Sequence, residues 1–102
     1  MRTSFIVRAQ VVDPTARDSF DQWYQNEHLP DAVKAFGARR AWRGWSDVEE
    51  NVHYAFYEFD DPAAVHALSG SDALSALIAE FDRLWTGKVT RTRNIVRSIQ
   101  EI

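Results

Sequence analysis

The chain has 102 residues, a net charge of −3 at pH 7 and a hydrophobic content of 45%. This length predicts one globular domain over residues 1–102, because single domains commonly have about 100–150 residues. The acidic balance argues against general nucleic-acid binding, and the lack of cysteine excludes a disulfide framework, a thiolate nucleophile and a thiolate metal site.

The first part of the chain predicts a strand followed by a helix. Polar residues are interleaved with Val, Ile and Phe over 3–12, which is typical of a strand. Asp13 can cap a helix over 14–27, which has a proline in its first turn. Pro30 is expected to interrupt this helix, because proline lacks the backbone donor. A short second helical segment is then expected over 31–35.

The rest of the chain predicts two strands, two helices and a last strand. The strands cover 38–45 and 52–59 and are separated by a polar turn. An aspartate followed by proline opens a helix over 62–68, and apolar residues at the helical period predict another over 71–85. The last strand covers 89–100. This β-α-β-β-α-β order predicts a ferredoxin-like α+β fold, a four-stranded antiparallel sheet with helices on one face.

The third predicted strand carries large residues on both of its faces. Alternation places Tyr54 and Phe56 on one face and Tyr57 and Phe59 on the other. Since the helices cover one face of the sheet, the other face should be polar if it met only solvent. Face-to-face packing of two sheets would cover these aromatic residues. The sequence therefore predicts a homodimer in the form of a dimeric α+β barrel.

The segment 20–30, with the sequence FDQWYQNEHLP, carries a motif that resembles a known family. Phe20, Tyr24, His28 and Pro30 match in register the end of the first helix in the EthD-type group of dimeric α+β barrel proteins. The resemblance in element order covers essentially the whole chain. It implies a ferredoxin-like subunit, a homodimer and a pocket between helices and sheet. Relatives in the broader superfamily include cofactor-independent isomerases, polyketide cyclases and monooxygenases, so no cofactor is expected.

His28 is the first candidate catalytic residue. A histidine titrates near neutral pH, so it can give or take a proton at the mouth of an apolar pocket. The alternative role is structural, since a cationic ring suits a helix C-terminus and can hydrogen-bond a carbonyl there. The neighbouring Glu27 is predicted to be a solvated acid, because adjacent helix positions normally diverge.

The second candidate site combines aromatic and charged side chains on the second and third strands. Tyr54, Phe56 and Glu58 share the face that we assign to the barrel interior or the dimer interface, because Phe59 on the other face leads into a helix. Tyr54 is predicted to donate a hydrogen bond to a substrate oxyanion. The alternative is an aromatic dimer core with an arginine paired to Glu58 across strands. The residues predicted to bind substrate are Tyr24, Arg40, Trp42, Trp45, Phe56 and Glu58.

Three arginines, Arg91, Arg93 and Arg97, share one face of the last predicted strand. They could bind an anionic or carboxylated ligand. The alternative is a charged edge strand that resists aggregation and pairs with acids such as Glu49 or Glu101. The histidines have no metal-ligand spacing with nearby acids, so no metal site is predicted.

These features predict a small cofactor-independent enzyme of the isomerase, cyclase or lyase type. It would act by proton transfer on an apolar, cyclic or aromatic small molecule, with His28 as the acid or base and Tyr54 as the hydrogen-bond donor. One alternative is a non-catalytic binding or accessory protein, and another is a cofactor-free monooxygenase that deprotonates an electron-rich phenol. A cytoplasmic protein without a membrane partner is expected, because no apolar run approaches the roughly 20 residues that cross a bilayer and no signal-peptide core is present.

Overall fold

Four antiparallel strands form one sheet in the computed structural model, which describes residues 2–102. Their spatial order is β2-β3-β1-β4. The ferredoxin-like α+β fold is confirmed, although β2 begins later and β4 ends earlier than the sequence predicts. The strands are β1 (Thr3–Val11), β2 (Arg40–Trp45), β3 (Val52–Phe59) and β4 (Val89–Arg97).

The helices cover one face of this sheet and begin where the sequence places capping residues. Asp13, Asp61 and Ser71 each accept a backbone N–H from the helical turn that follows. Within residues 2–102, no helix is both long enough and apolar enough to cross a membrane. A 3₁₀ turn leads from β1 into the first helix. The α-helices are α1 (Arg17–Trp23), α2 (Leu29–Phe36), α3 (Pro62–His66) and α4 (Asp72–Trp85).

The predicted interruption of the first helix at Pro30 is wrong. Helical backbone continues from α1 into α2 through a π-helical segment, Tyr24–His28. Here the Leu29 N–H bonds to the Tyr24 carbonyl, five residues earlier, which is the wider π spacing. The wider turn relieves the clash between a proline ring and the preceding turn, so the helix continues past Pro30. His28 therefore lies inside a continuous helix and not at a helix end.

The layer between helices and sheet is mostly aromatic. The buried ring of Phe20 has six aromatic or imidazole rings at centroid distances of 5.2–6.2 Å. Tyr24, one turn later, is only 1% exposed. Such rings contribute large buried areas and favourable edge-to-face contacts. Phe20 and Tyr24 thus anchor the first helix to the sheet, as their spacing indicates.

The opposite face of the sheet has large apolar side chains that the helices do not cover. Trp42 stacks on Phe56 at a centroid distance of 5.4 Å, and Tyr54 lies 6.2 Å from Phe56. Trp42 is 40% exposed and Val96 is 46% exposed. We call this surface the open face. A half-apolar sheet face of this kind is unusual for a surface that meets only water.

Candidate active site

A cleft between the helices and β1, β3 and β4 brings titratable groups together inside an apolar wall. Its interior has a volume of about 30 Å³, and its mouth is open to solvent. Its apolar lining is provided by Phe5, Val7, Phe36, Leu74, Leu77, Ile78 and Phe81. Its polar lining is provided by Tyr24, His28, Tyr57, Arg91 and Arg93. A few convergent polar groups in an apolar concavity are typical of a small-molecule site.

His28 belongs to the π-helical segment, and its side chain lines the cleft. Single π-helical turns of this kind are frequent at functional sites. Its ring stacks on Trp23 at 4.5 Å and meets Tyr24 edge-on at 4.8 Å. Its buried Nδ1 has no hydrogen-bond partner among residues 2–102. Burial, reinforced by the positive charge of Arg91, lowers the pKa of His28 to about 4. The imidazole is therefore neutral at pH 7.

Two buried tyrosines face one another deep in the cleft. Tyr24 and Tyr57 are each 1% exposed. Burial raises the pKa of both phenols above the ordinary value, and the neighbouring Tyr24 hydroxyl raises that of Tyr57 further. Both hydroxyls therefore remain protonated at neutral pH. They are available as hydrogen-bond donors to an oxygen atom bound in the cleft.

Arg91 supplies a fixed positive charge to the same cleft. Its guanidinium lies over the Phe81 ring at 3.7 Å from the centroid, and Nη2 is 3.4 Å from the exposed carboxylate of Asp82. Burial and the charge of Arg93 lower its pKa below the ordinary value, but an arginine stays protonated at pH 7. The acids expected to pair with this run bind other arginines: Glu49 pairs with Arg8, and Glu101 with Arg2.

A partly buried ion-pair network supports the cleft from the side of β2. Arg43 donates to Asp21 at 2.8 Å, and its Nη1 lies 3.2 Å from His53 Nε2. Trp45 also donates to Asp21, at 2.8 Å. The His53 ring lies against Tyr24 at 4.5 Å, so the network fixes the position of that tyrosine. Burial is the main cause, and Arg43 the second, of a His53 pKa lowered to about 4.

The two depressed histidine pKa values predict acid-sensitive stability. Between pH 4 and 6.5 the unfolded chain binds protons that the folded chain does not, so the free energy of unfolding should fall as pH drops through this range. His53 is expected to account for on the order of 2–3 kcal/mol of this change. Urea unfolding of H53N at pH 4 and pH 7 should show a clearly smaller difference than wild type. The exposed-histidine variant H66Q should keep the wild-type difference, and an unchanged slope in H53N would refute the assignment.

The structure separates the predicted catalytic pair. His28 lies on the helix side of the sheet, whereas Tyr54 lies on the open face and donates to Glu49 at 2.8 Å. The two side chains do not line a common cavity because alternate residues of a strand point to opposite faces. Of the predicted binding residues, Tyr24 shares the cleft with His28, and Trp45 lies on the helix side at Asp21.

The other predicted binding residues belong to the open face. Arg40 lies directly across from Glu58 on the neighbouring strand, with Nε 3.5 Å from the carboxylate, and Trp42 lies across from Phe56. The cross-strand arginine pair with Glu58 is thus confirmed. A single pocket shaped by Trp42, Phe56 and Trp45 together is excluded, because Trp45 lies on the other face.

Sequence reasoning missed Tyr57 and Phe81 as site residues and gave Arg91 and Arg93 no place beside His28. Alternation did place Tyr57 on the helix face. The register of β4 on β1 places the two arginines on the helix side of the sheet. Arg91 lies across from Ala9, and Arg93 lies across from Val7. Within the described part of the chain, no group of three or more His, Cys, Asp or Glu residues could hold a metal ion.

Comparison with known proteins gives matches among solved structures. No family model matches the chain, and no curated protein matches it. A variant of SnoaB, a cofactor-independent oxygenase from Streptomyces nogalater, superimposes with a TM-score of 0.73 at 13% identity over 99% of this chain and 96% of that one. An EthD family protein from Bacillus halodurans gives a TM-score of 0.73 at 19% identity over 97% and 100%.

A third match is a dimeric ferredoxin-like protein from an uncultured marine organism, with a TM-score of 0.58 at 13% identity over 99% of this chain and 98% of that one. At these identities the likeness establishes the fold and nothing finer. The fold expected from the motif Phe20–Tyr24–His28–Pro30 is therefore confirmed. The solved structures of this fold include proteins described as an EthD family member, an oxygenase and a dimer.

Proposed function

We propose that this chain, which has the fold of the EthD-type α+β barrel proteins, is a small cofactor-independent enzyme that removes a proton from an apolar cyclic or aromatic molecule. The observation that carries the proposal is the joint presence of neutral His28 and cationic Arg91 in one apolar cleft. A neutral imidazole can accept a proton. The nearby guanidinium and the two phenol groups can stabilise the oxyanion that proton removal creates.

His28 acts as the general base. Its low pKa makes it a weak base in the empty cleft, but the anion formed beside it stabilises the imidazolium. The hydroxyl or C–H group of the substrate must therefore be acidic enough for this weak base to deprotonate it. An enol, a phenol or a carbon next to a ring carbonyl meets this requirement when Arg91 is near the developing charge.

The proton accepted by His28 has a short route to solvent. His28 also lines a surface cleft on its other side, together with Glu27, Asp31 and Glu80. Glu27 is exposed, as expected for a solvated acid. These carboxylates can accept or relay the proton, so the base returns to its neutral form between turnovers.

Two fates of the anion remain as candidate reactions. Reprotonation at another carbon, or bond formation or cleavage from the anion, gives an isomerase, cyclase or lyase. Reaction with oxygen gives a monooxygenase, in which a ring CH₂ and O₂ become a ring C=O and water. The second reaction is favoured by one specific observation, which is that a structure with this fold is described as a cofactor-independent oxygenase.

The experiment that tests the proposal follows proton removal directly. Cyclic 1,3-diketones and hydroxylated aromatic ketones would be incubated with the protein in D₂O, with hydrogen exchange followed by NMR and oxygen uptake by electrode. Catalysed exchange or turnover supports an enzyme, and oxygen uptake identifies the monooxygenase branch. A compound that binds in the cleft without either outcome would favour the non-catalytic binding protein. The cytoplasmic location stays a prediction.

The open face is proposed to join two copies of the chain. Its central aromatic stack, Trp42 on Phe56, is partly exposed, and stacked aromatic residues are common anchors of interfaces. We expect wild-type protein to sediment as a dimer at micromolar concentration. F56E should weaken the dimer by about 30-fold or more, as at an interface hot spot. The control V48E changes a 94% exposed residue outside the strands and should leave the dimer intact. A monomeric wild type would contradict the proposal.

A further inference from the structure

A second cavity adjoins the candidate active site and extends it along β4. It has a volume of about 390 Å³. We call it the extension groove. It shares Phe5, Leu74 and Arg93 with the cleft, so the two cavities meet at these side chains. Beyond them it is lined by Val65, Leu68, Ser69, Asn94 and Ile95.

The walls of the extension groove are largely apolar, with Val65 and Leu68 buried at its base, 1% and 9% exposed, and an open rim. Val65 lies near the end of α3, and Leu68 lies in the turn after it. Ile95, on the helix side of β4, is 38% exposed. An aliphatic wall left open beside a cleft suits an apolar substituent of the molecule bound in that cleft. The small side chain of Ser69 leaves room at the rim.

Arg93 stands at the junction of cleft and groove and carries a charge that no acid neutralises. Among residues 2–102, no carboxylate lies within ion-pair distance of Arg93, whereas Arg91 has Asp82 and Arg43 has Asp21. The Arg93 guanidinium is therefore available to an anion from outside the chain. Arginine is well suited to a carboxylate because its planar donors match the two oxygens.

We propose that the natural ligand is an amphipathic carboxylate, with a hydroxylated ring at the mouth of the cleft, its carboxylate at Arg93 and an apolar substituent along the extension groove. The placement of the ring rests on the function proposed above. The carboxylate is inferred from Arg93, and the apolar substituent from the extension groove. Neither of these two inferences depends on the proposed function. The ligand class is thus narrower than an apolar cyclic molecule.

Four compounds separate the contributions of the carboxylate and the apolar tail. They are phenol, salicylate, 3-hexylphenol and 6-hexylsalicylate, each titrated into wild-type protein by isothermal calorimetry at pH 7. The hexyl tail should tighten binding at least about tenfold, because several methylene groups leave water. The carboxylate should add about threefold to tenfold, as a partly exposed ion pair does. 6-Hexylsalicylate should bind most tightly.

Matched variants then show which side chains are responsible for the affinity gained from the tail and from the carboxylate. S69W fills the groove and should remove most of the affinity gained from the hexyl tail. Its control is S75W, on the exposed side of α4 and outside both cavities, which should keep that affinity. R93Q should remove the carboxylate's gain, while R97Q, on the same strand face but outside both cavities, should keep it. Circular dichroism confirms that each variant is folded.

The outcomes distinguish this inference from the function on which its ring placement rests. If phenol and salicylate bind equally and the tail adds nothing, the inference is overturned while the cleft and its proton chemistry stand. If gains appear but survive S69W and R93Q, the ligand lies elsewhere and the inference is also overturned. If none of the four compounds binds, the inference is overturned, and the proposed function is decided separately by its hydrogen-exchange and oxygen-uptake experiment.

Discussion

H28Q is expected to lower kcat/KM by about 10²–10⁴-fold on any substrate that the wild type turns over, as the loss of a general base does. Glutamine keeps a polar side chain of similar size beside Trp23 but cannot accept a proton at neutral pH. In the wild type, kcat/KM should rise with pH through about 4 and stay level through 6.5, because His28 must be neutral and its pKa is about 4. Initial rates from pH 3.5 to 8 measure both effects.

The control for this variant is H66Q, which changes an exposed histidine on α3. Near-ultraviolet circular dichroism should show that H28Q keeps its aromatic packing, since Trp23, Tyr24 and Phe81 all contact this ring. A folded H28Q with wild-type rates would assign His28 to packing alone. An acid limb near pH 6.5 would mean that a different base, or an unburied His28, carries the reaction.

R91Q is expected to lower kcat by about 10²-fold, the loss typical of one donor to a developing oxyanion. The effect should fall mainly on kcat and less on KM, because the charge on the substrate oxygen grows in the transition state. Removing the guanidinium should also raise the pKa of His28, whose value Arg91 lowers, so the acid limb of the pH profile should move to higher pH. This shift would be modest, since burial is the larger cause.

The matched control for R91Q is R97Q, which removes a cation from the same face of β4 outside the cleft. Thermal unfolding should be measured for both, because Arg91 also packs on Phe81. A rise in KM with kcat unchanged would assign Arg91 to substrate binding. An acid limb that does not move would show that Arg91 and His28 are not electrostatically coupled.

The fold could be predicted because its signals are local. Alternation identified the strands, and Asp13, Asp61 and Ser71 marked helix starts through side-chain caps that act within a few residues. The error at Pro30 has a local cause as well. Proline normally ends a helix, and nothing in the neighbouring residues indicates that a π-helical segment will accommodate it.

The site could be predicted only in part because it is assembled by pairing between distant segments. Tyr24 and His28 were identifiable from one helix. Placing Arg91 beside them requires the register of β4 on β1, which pairs residues about eighty positions apart along the chain. In the sequence, the aromatic surplus of the open face favours Tyr54 over Tyr57. The helix-side cleft is visible only in the tertiary structure, which brings His28, Tyr57 and Arg91 together.

The most direct test of this account compares two tyrosines of β3 that lie on opposite faces. Tyr57 lines the cleft with His28, and Tyr54 lies on the open face. Kinetic constants of Y57F and Y54F on one substrate therefore report which face carries the reaction. Y57F is expected to lose about tenfold or more in kcat/KM, as for a lost hydrogen bond to an oxyanion, whereas Y54F should stay within about twofold of wild type. The reverse result would contradict it and return the site to the open face.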